Sequence, residues 1–342
     1  MKIFVNACNI HTGGGKVILN DLIGETYKLK NIEFIFFVDY RYVIPNIDGN
    51  NIVYEKISKI FRWKVSHLIE TKSCKNDIVI YLTNIPPRRK HKCKTILLQS
   101  NRFVIDKYPL KGFSLKTKIR VFMERFLFYL NYKNVDYIVV QSETMRSVLV
   151  SSGVKVEKIK IYAYKSKEEQ YKIKKQSDNK KCNTNFLYIA TDEPHKNHKN
   201  LIEAWCILAK IGVFPKLTVT INEETLLHQF INKRVNEYKL NLEILPNLDR
   251  EKIIKLYSQS RALIFPSFVE SYGLPLVEAS QYGIPIIASE LDYVRDVVDP
   301  IESFDPNSAK SISRSVIRFL KMEEKKTEII TPVEFINNII KL

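Results

Sequence analysis

Glu270-Ser271-Tyr272-Gly273-Leu274-Pro275-Leu276-Val277-Glu278 follows directly on the apolar run Ala262-Leu263-Ile264-Phe265 and the pair Pro266-Ser267. A short apolar run bounded by turn residues reads as a strand buried on both faces. Pro275 suits the first residue of a helix, because its missing N–H would be unpaired there anyway. Ser271 to Leu274 then form a loop whose amides converge on the helix N-terminus, a place that favours an anion. Glu270 lies in that loop and Glu278 in the first or second turn of the helix. Two carboxylate acceptors bracketing a group of amide donors suit a ligand with phosphate in its middle and hydroxyls at both ends. A nucleotide sugar has that layout. The bland alternative is a helix start with acidic neighbours and a glycine for the turn.

The same strand, turn and helix grammar extends to both sides. Downstream comes a helix over Pro275–Gln281 and a strand over Pro285–Ala288. Upstream lie strands at Phe186–Ile189, Leu217–Ile221 and Glu243–Leu245, with helices at Leu201–Leu208 and Glu251–Ser258. The first half opens with the strand Lys2–Asn6, the turn Gly13-Gly14-Gly15, and Val17, Ile18, Leu19, Leu22 and Ile23 at helical spacing. Buried-strand candidates follow at Phe34–Val38, Ile78–Leu82, Thr95–Leu98 and Tyr137–Val140, each separated by enough chain for a crossover helix. Residues 166–184 are polar, charged and without apolar period, and are read as a linker. The expectation is therefore an α/β chain of two Rossmann-like, doubly wound domains, 1–165 and 185–342, with a ligand cleft between them.

Composition fits that division. The chain has 342 residues, 45% of them apolar and 27% charged, which suits two globular domains and excludes a disordered or fibrous chain. Its five cysteines are scattered without a C-x-x-C pair, arguing for a reducing cytosol rather than a disulfide framework or zinc site. No apolar run is long enough to span a bilayer, and no signal peptide is read at the N-terminus. The net charge of +17 is uneven. Residues 1–180 hold 34 Lys and Arg against 16 Asp and Glu, whereas 181–342 hold 20 against 21. A lysine-rich genome would inflate both halves alike, so the basic first half points to an anionic partner.

Glu270 and Glu278 also match the E-x7-E signature of the retaining glycosyltransferases of family four, and the resemblance runs through the chain. The strands Ala262–Ser267 and Gly283–Ser289 and the segment Phe304-Asp305-Pro306 stand where that family has them. Asn9–Lys16 resembles the family's N-terminal donor-phosphate loop, and Asp136–Ser142 its last N-domain strand. The resemblance implies the GT-B fold, with the donor held mostly by the second domain. It implies that Glu270 contacts the donor sugar's hydroxyls and Glu278 the ribose. It also gives Lys196 the part of the phosphate-binding lysine, with Ser271, Tyr272, Gly273, Leu274, Gly14 and Gly15 completing the donor site. Where the family usually carries an arginine five residues before that lysine, this chain has Thr191; Arg102, reaching across the cleft, is a substitute candidate. The family's N-domain histidine is missing from Leu97–Phe103, which leaves His11, Gln99, Asn101 and Arg102 as candidates to line the acceptor side.

On the residues themselves, Gly13-Gly14-Gly15 becomes a phosphate cradle only through its place between strand and helix. Asn200 is expected to cap the helix after Pro194-His195-Lys196-Asn197, with Glu203 closing a capping box. No Asp-x-Asp and no hydrolase-type nucleophile motif occurs, so neither metal nor other cofactor is expected. From Lys107 to Asn131, basic residues interleave with Phe113, Leu115, Ile119, Phe122, Phe126, Leu127 and Phe128 on one helix. That pattern suits an element lying on anionic lipid, against the plain alternative of a core helix with a solvated basic face. No nucleic-acid-binding signature accompanies the charge. The reading is a retaining hexosyltransferase of bacterial surface-polysaccharide (O-antigen, capsule or lipopolysaccharide) synthesis. It acts on a nucleotide-diphosphate sugar and a saccharide or lipid-linked saccharide acceptor, in the cytoplasm or at the inner membrane face. A GT-B sugar-nucleotide epimerase and a non-catalytic polyanion binder stay open as alternatives.

Overall fold

The computed structural model describes residues 1–45, 51–163, 185–223, 225–246 and 248–322. The expected linker at 166–184 lies outside these residues. Thirteen strands fall into two sheets among the described residues. The first holds β1 (Lys2–Ala7), β2 (Glu33–Asp39), β3 (Ile52–Ile57), β4 (Ile78–Tyr81), β5 (Lys94–Leu98), β6 (Tyr137–Val140) and β7 (Ile159–Ile161). Their order is β3-β2-β1-β4-β5-β6-β7, and each neighbouring pair is parallel. The second holds β8 (Phe186–Tyr188), β9 (Leu217–Thr220), β10 (Leu242–Leu245), β11 (Ala262–Phe265), β12 (Ile286–Ser289) and β13 (Glu302–Phe304), in the order β10-β9-β8-β11-β12-β13. It too is parallel throughout.

Parallel strands need crossovers, and helices supply them: α1 (Gly13–Thr26), α2 (Val65–Lys72), α3 (Arg102–Ile105), α4 (Leu115–Asn131) and α5 (Glu143–Ser151) in the first half. The second half has α6 (His198–Lys210), α7 (Leu226–Tyr238), α8 (Arg250–Gln259), α9 (Leu274–Gln281), α10 (Asp292–Arg295) and α11 (Ala309–Phe319). Helices on both faces bury the central strands twice over. Every residue of β8, β9, β11 and β12 is buried, which explains their unbroken apolar runs. Each fully buried Leu, Ile or Phe contributes about 1.5–3 kcal/mol of transfer energy, so these strands anchor the core.

Strand order reverses between β1 and β4 and again between β8 and β11. At such switch points the loops leaving the carboxyl ends of neighbouring strands diverge and open a crevice. The two carboxyl edges face each other. The backbone N–H of Arg102, beyond β5, donates to Ser271 Oγ at 2.9 Å, and Ser142 Oγ donates to the Ser271 carbonyl at 3.1 Å. Gly112, at φ +83°, packs against Pro194 so tightly that a Cβ there would stand 3.1 Å from the proline ring.

Candidate active site

The Glu270 loop is shaped by its backbone. Gly273 sits at φ +76°, and a Cβ there would meet Leu276 Cδ1 at 2.9 Å, so both conformation and space call for glycine. It is the N-cap of α9, with Leu274 and Pro275 opening the helix; no described side chain caps it, leaving the first-turn amides unclaimed by a cap. Glu278 projects from the second turn, where it is buried.

Lys196 reaches the same place from β8. Its Nζ lies 2.8 and 2.9 Å from the two carboxylate oxygens of Glu270, with 17% and 11% of the two side chains exposed. The lysine backbone is fixed from behind: Tyr188 OH donates to the Lys196 carbonyl at 2.6 Å and also contacts Ser267 Oγ at 3.1 Å. Burial drives the Tyr188 pKa well above its ordinary value, so the phenol stays a neutral donor. The two residues expected to serve catalysis and phosphate thus meet as an ion pair.

Asn197 ties the surrounding loops together. It adopts the left-handed conformation (φ 61°) that Asn tolerates, and it is the N-cap residue of α6. Its side-chain amide donates to the carbonyls of Pro266 (2.9 Å) and Pro306 (2.7 Å). One side chain therefore joins the loops after β8, β11 and β13. The expected cap by Asn200 is corrected: Asn200 lies inside α6 and donates to Pro306 O at 2.9 Å. The helix starts earlier because the left-handed turn at Asn197 launches it.

Glu278 is paired on both oxygens, by Arg250 Nη1 at 2.7 Å and Tyr257 OH at 2.9 Å. A carboxylate has about four acceptor sites, so roughly two remain for a ligand diol. Sequence reading missed both partners. Their signal is faint but present: α8 begins at the carboxyl edge of the sheet behind the Asp249 cap, and Tyr257 stands seven residues, two turns, after Arg250.

The remaining candidates divide. Gly14 and Gly15 form the first turn of α1 at the carboxyl edge of β1, and no described side chain caps that helix either. Thr191 is exposed and its hydroxyl bonds Glu193. Arg102 reaches Ser271 across the cleft with its backbone N–H, and its guanidinium Nε donates to Asp106 at 2.7 Å, one helical turn away. Asn101 is occupied in capping α3, and Gln99 is buried with its Nε2 donating to Asn101 O. His11 is half-buried, with Nδ1 3.9 Å from Asp39 Oδ2. Burial opposes ionisation of Asp39, but hydrogen bonds from Arg41 and the charges of Arg62 and Arg41 outweigh it and hold the carboxyl near 2. Ser271 and Tyr272 follow Glu270 directly in sequence, and Ser271 carries the contacts to the first half.

Comparisons with known proteins meet this geometry. Residues 169–333 match the sequence model of the family described as "Glycosyl transferases group 1". O-antigen chain mannosyltransferase B of Escherichia coli is 30% identical over 141 residues, 40% of this chain and 36% of that protein. The chain thus spans little over a third of that relative's length. Sucrose-phosphate synthase from Thermosynechococcus elongatus superposes with a TM-score of 0.68 at 16% identity, over 94% of this chain and 90% of that one. Anabaena HepE, solved with UDP and glucose, gives 0.64 at 15% identity over the same shares. The second half of the chain is a group 1 glycosyltransferase domain of the family-four type. The chain as a whole has the GT-B fold.

Proposed function

We propose that the chain is a retaining hexosyltransferase that moves a sugar from a nucleotide-diphosphate donor to a saccharide acceptor carried on lipid, in O-antigen or capsule synthesis. The family match and the O-antigen mannosyltransferase relative support the reaction class. HepE, solved with UDP and glucose, supports a nucleotide-sugar donor. The observation that carries the site assignment is the Lys196–Glu270 pair set beside the uncapped start of α9.

In this reading the donor diphosphate takes the Lys196 ammonium and the α9 amides, while Glu270 keeps acceptor capacity for sugar hydroxyls. Glu278, steadied by Arg250 and Tyr257, accepts from the ribose. The anomeric C–O bond to phosphate breaks, and the acceptor oxygen bonds to the same carbon from the same face. The acceptor proton passes to the departing diphosphate oxygen, so charge and atoms balance without an enzyme nucleophile or a metal. Catalysis then rests on stabilising charge that develops on phosphate and on holding the acceptor hydroxyl against the face from which the diphosphate departs. The first half, with its cationic excess, takes the acceptor and faces anionic lipid at the inner side of the membrane.

The test is a thermal-shift panel of uridine and guanosine diphosphate sugars, followed by mass spectrometry of products and assignment of the new anomeric centre by proton NMR. Transfer with retained configuration is expected. Inversion refutes the mechanism, free turnover of donor without acceptor favours an epimerase, and no stabilisation by any donor refutes the function.

A further inference from the structure

In α4 the apolar surface points the wrong way for a core helix. Val121 and Phe128 are buried, yet Leu115, Ile119, Phe122, Met123, Phe126 and Leu130 are all between 48% and 73% exposed. At 100° per residue these six fall within an arc of about 100°, opposite the buried pair. They form one continuous stripe along a 17-residue helix. Single exposed hydrophobics are ordinary; a stripe of this length is an interaction surface.

Charge says what lies against it. On the same wheel Lys116 and Lys118 fall just outside the arc on opposite sides, and Arg120 lies beyond Lys116. Lys107, Lys111 and Lys118 join Leu110, Ile119 and Phe122 around a shallow surface hollow of about 620 Å³. None of these lysines forms an ion pair with a described residue. The one acid of the helix, Glu124, falls on the inward side of the wheel. A second copy of the chain docking by a two-fold axis would set these cations against their own images, which costs energy. An anionic leaflet answers both features at once, taking side chains into its interface and phosphates onto the lysine rim.

A second anchor stands on the same side. The steps from β3 to β4, β5, β6 and β7 all run one way across the sheet, so right-handed crossovers put their connections on one face. Val65 and Ile69 of α2 and Phe128 of α4 accordingly share one core cluster. On that face the 3-10 turn Lys59–Lys64, which runs into α2, exposes Ile60, Phe61 and Trp63, with Lys64 Nζ over both rings.

We infer that the outward stripe of α4, with its lysine rim, docks on an anionic lipid bilayer, with the Ile60–Trp63 turn as a second foot. This names the lipid-facing surface of the proposed transferase and rests on that reading for its purpose, yet vesicle binding needs neither donor nor acceptor. The test is flotation of the full chain with vesicles of phosphatidylcholine alone and of phosphatidylcholine mixed with phosphatidylglycerol. Binding to the mixture only is expected. The double variants Phe122→Glu with Phe126→Glu, and Lys116→Glu with Lys118→Glu, should each cut that binding by at least about tenfold. Both alter exposed side chains, so the thermal midpoint and the donor-induced thermal shift should stay as in the parent. Equal or negligible binding to both vesicle types overturns the inference, as does undiminished binding by both variants. A wild-type dimer by light scattering that Phe122→Glu with Phe126→Glu makes monomeric, without flotation, assigns the stripe to a second copy instead. Flotation without any donor-induced shift would leave this surface standing and remove the transferase reading alone.

Discussion

Asn197 offers the sharpest test of how the site is held together. Its amide gives both hydrogens to buried carbonyls, those of Pro266 and Pro306, and its backbone is left-handed. Asn197→Ala leaves the buried Pro266 carbonyl without its described partner, at about 1 kcal/mol or more, while Pro306 O keeps Asn200 at 2.9 Å and loses less. Alanine in that conformation adds about 1–2 kcal/mol. The total is about 2–3 kcal/mol, or a fall of roughly 8 °C in Tm for a domain of this size. Asn197→Gly relieves the backbone part and should cost roughly 1 kcal/mol less than alanine. Asn197→Asp keeps the shape but turns carboxylate oxygen towards two carbonyl oxygens, and should be the worst of the three. Urea unfolding followed by fluorescence measures all of these, since Trp205 is buried in the second half while the other tryptophan, Trp63, is exposed. Lys196 precedes this residue and Pro266 leads to Glu270, so transfer by the alanine variant should fall on the order of 100-fold where the fold is intact. An aspartate variant as stable as the parent, or alanine and glycine variants both within about 0.5 kcal/mol of it, would refute the clamp.

Three further outcomes are expected. Glu270→Gln keeps size and removes charge, so Lys196 loses its ion-pair partner; transfer should drop at least about 100-fold with little change in Tm, and unchanged kcat/KM removes Glu270 from the chemistry. Arg250→Ala leaves the buried Glu278 carboxylate with Tyr257 as its only described partner, and about 1–3 kcal/mol of stability should go with it. Nucleotide affinity by calorimetry should fall in parallel, and tight binding by that variant would contradict the ribose role. Burial, reinforced by the Lys196 charge, lowers His195 to about 4 and His198 to about 3, while Glu193 acts in the opposite sense on His195. Unfolded histidines bind protons from about 6.5 downwards and these two resist until much lower, so their stability is present above 6.5 and drains as pH falls. Between pH 6.5 and 5 that is about 2 kcal/mol for each, measurable as a falling urea midpoint, and His198→Phe should remove about half of the slope. Identical slopes in parent and variant would exclude His198 as a source.

The sequence made the middle of each sheet legible and left the rims obscure, for a physical reason. β1, β2, β6, β8, β9, β11 and β12 are buried along most or all of their length, so selection for apolar side chains writes a nearly unbroken run. β3 is half-exposed along its length, and β7 and β13 have three residues each, too short for a period to show. α7 buries only Ile231 fully, so its amphipathic signal is weak; α11 did carry one, in Ile312, Val316 and Ile317 behind the Ser308 cap, and it went unread. At the site, spacing singles out Glu270 and Glu278, because loop and helix place them locally, whereas Lys196 comes from the family resemblance. What spacing could not give was who touches whom. Arg250 lies 28 residues from Glu278 in sequence and Lys196 lies 74 from Glu270. Asn197 was hidden by a neighbouring Asn and Glu that imitate a capping box.

The contacts of Ser271 join the halves of the molecule to the chemistry. Its hydroxyl accepts from the Arg102 amide, its carbonyl accepts from Ser142, and its own peptide adjoins Glu270 in the loop that starts α9. Close by, the His195 ring stacks on Phe113 at 5.8 Å and meets Phe103 edge-on at 4.9 Å, both from the first half. His195 immediately precedes Lys196. The two loops that carry the Glu270–Lys196 pair are therefore the same two loops that the first half grips. Any shift of one half against the other would pull on both members of the pair, and a ligand that drew Lys196 off Glu270 would act back on those contacts. Such coupling is reciprocal by necessity. Through these two loops, ligand occupancy in the second half and the position of the first half bear on each other, whereas the Thr144 N–H, which donates to Asp296 Oδ2 at 2.6 Å, joins the halves away from the pair.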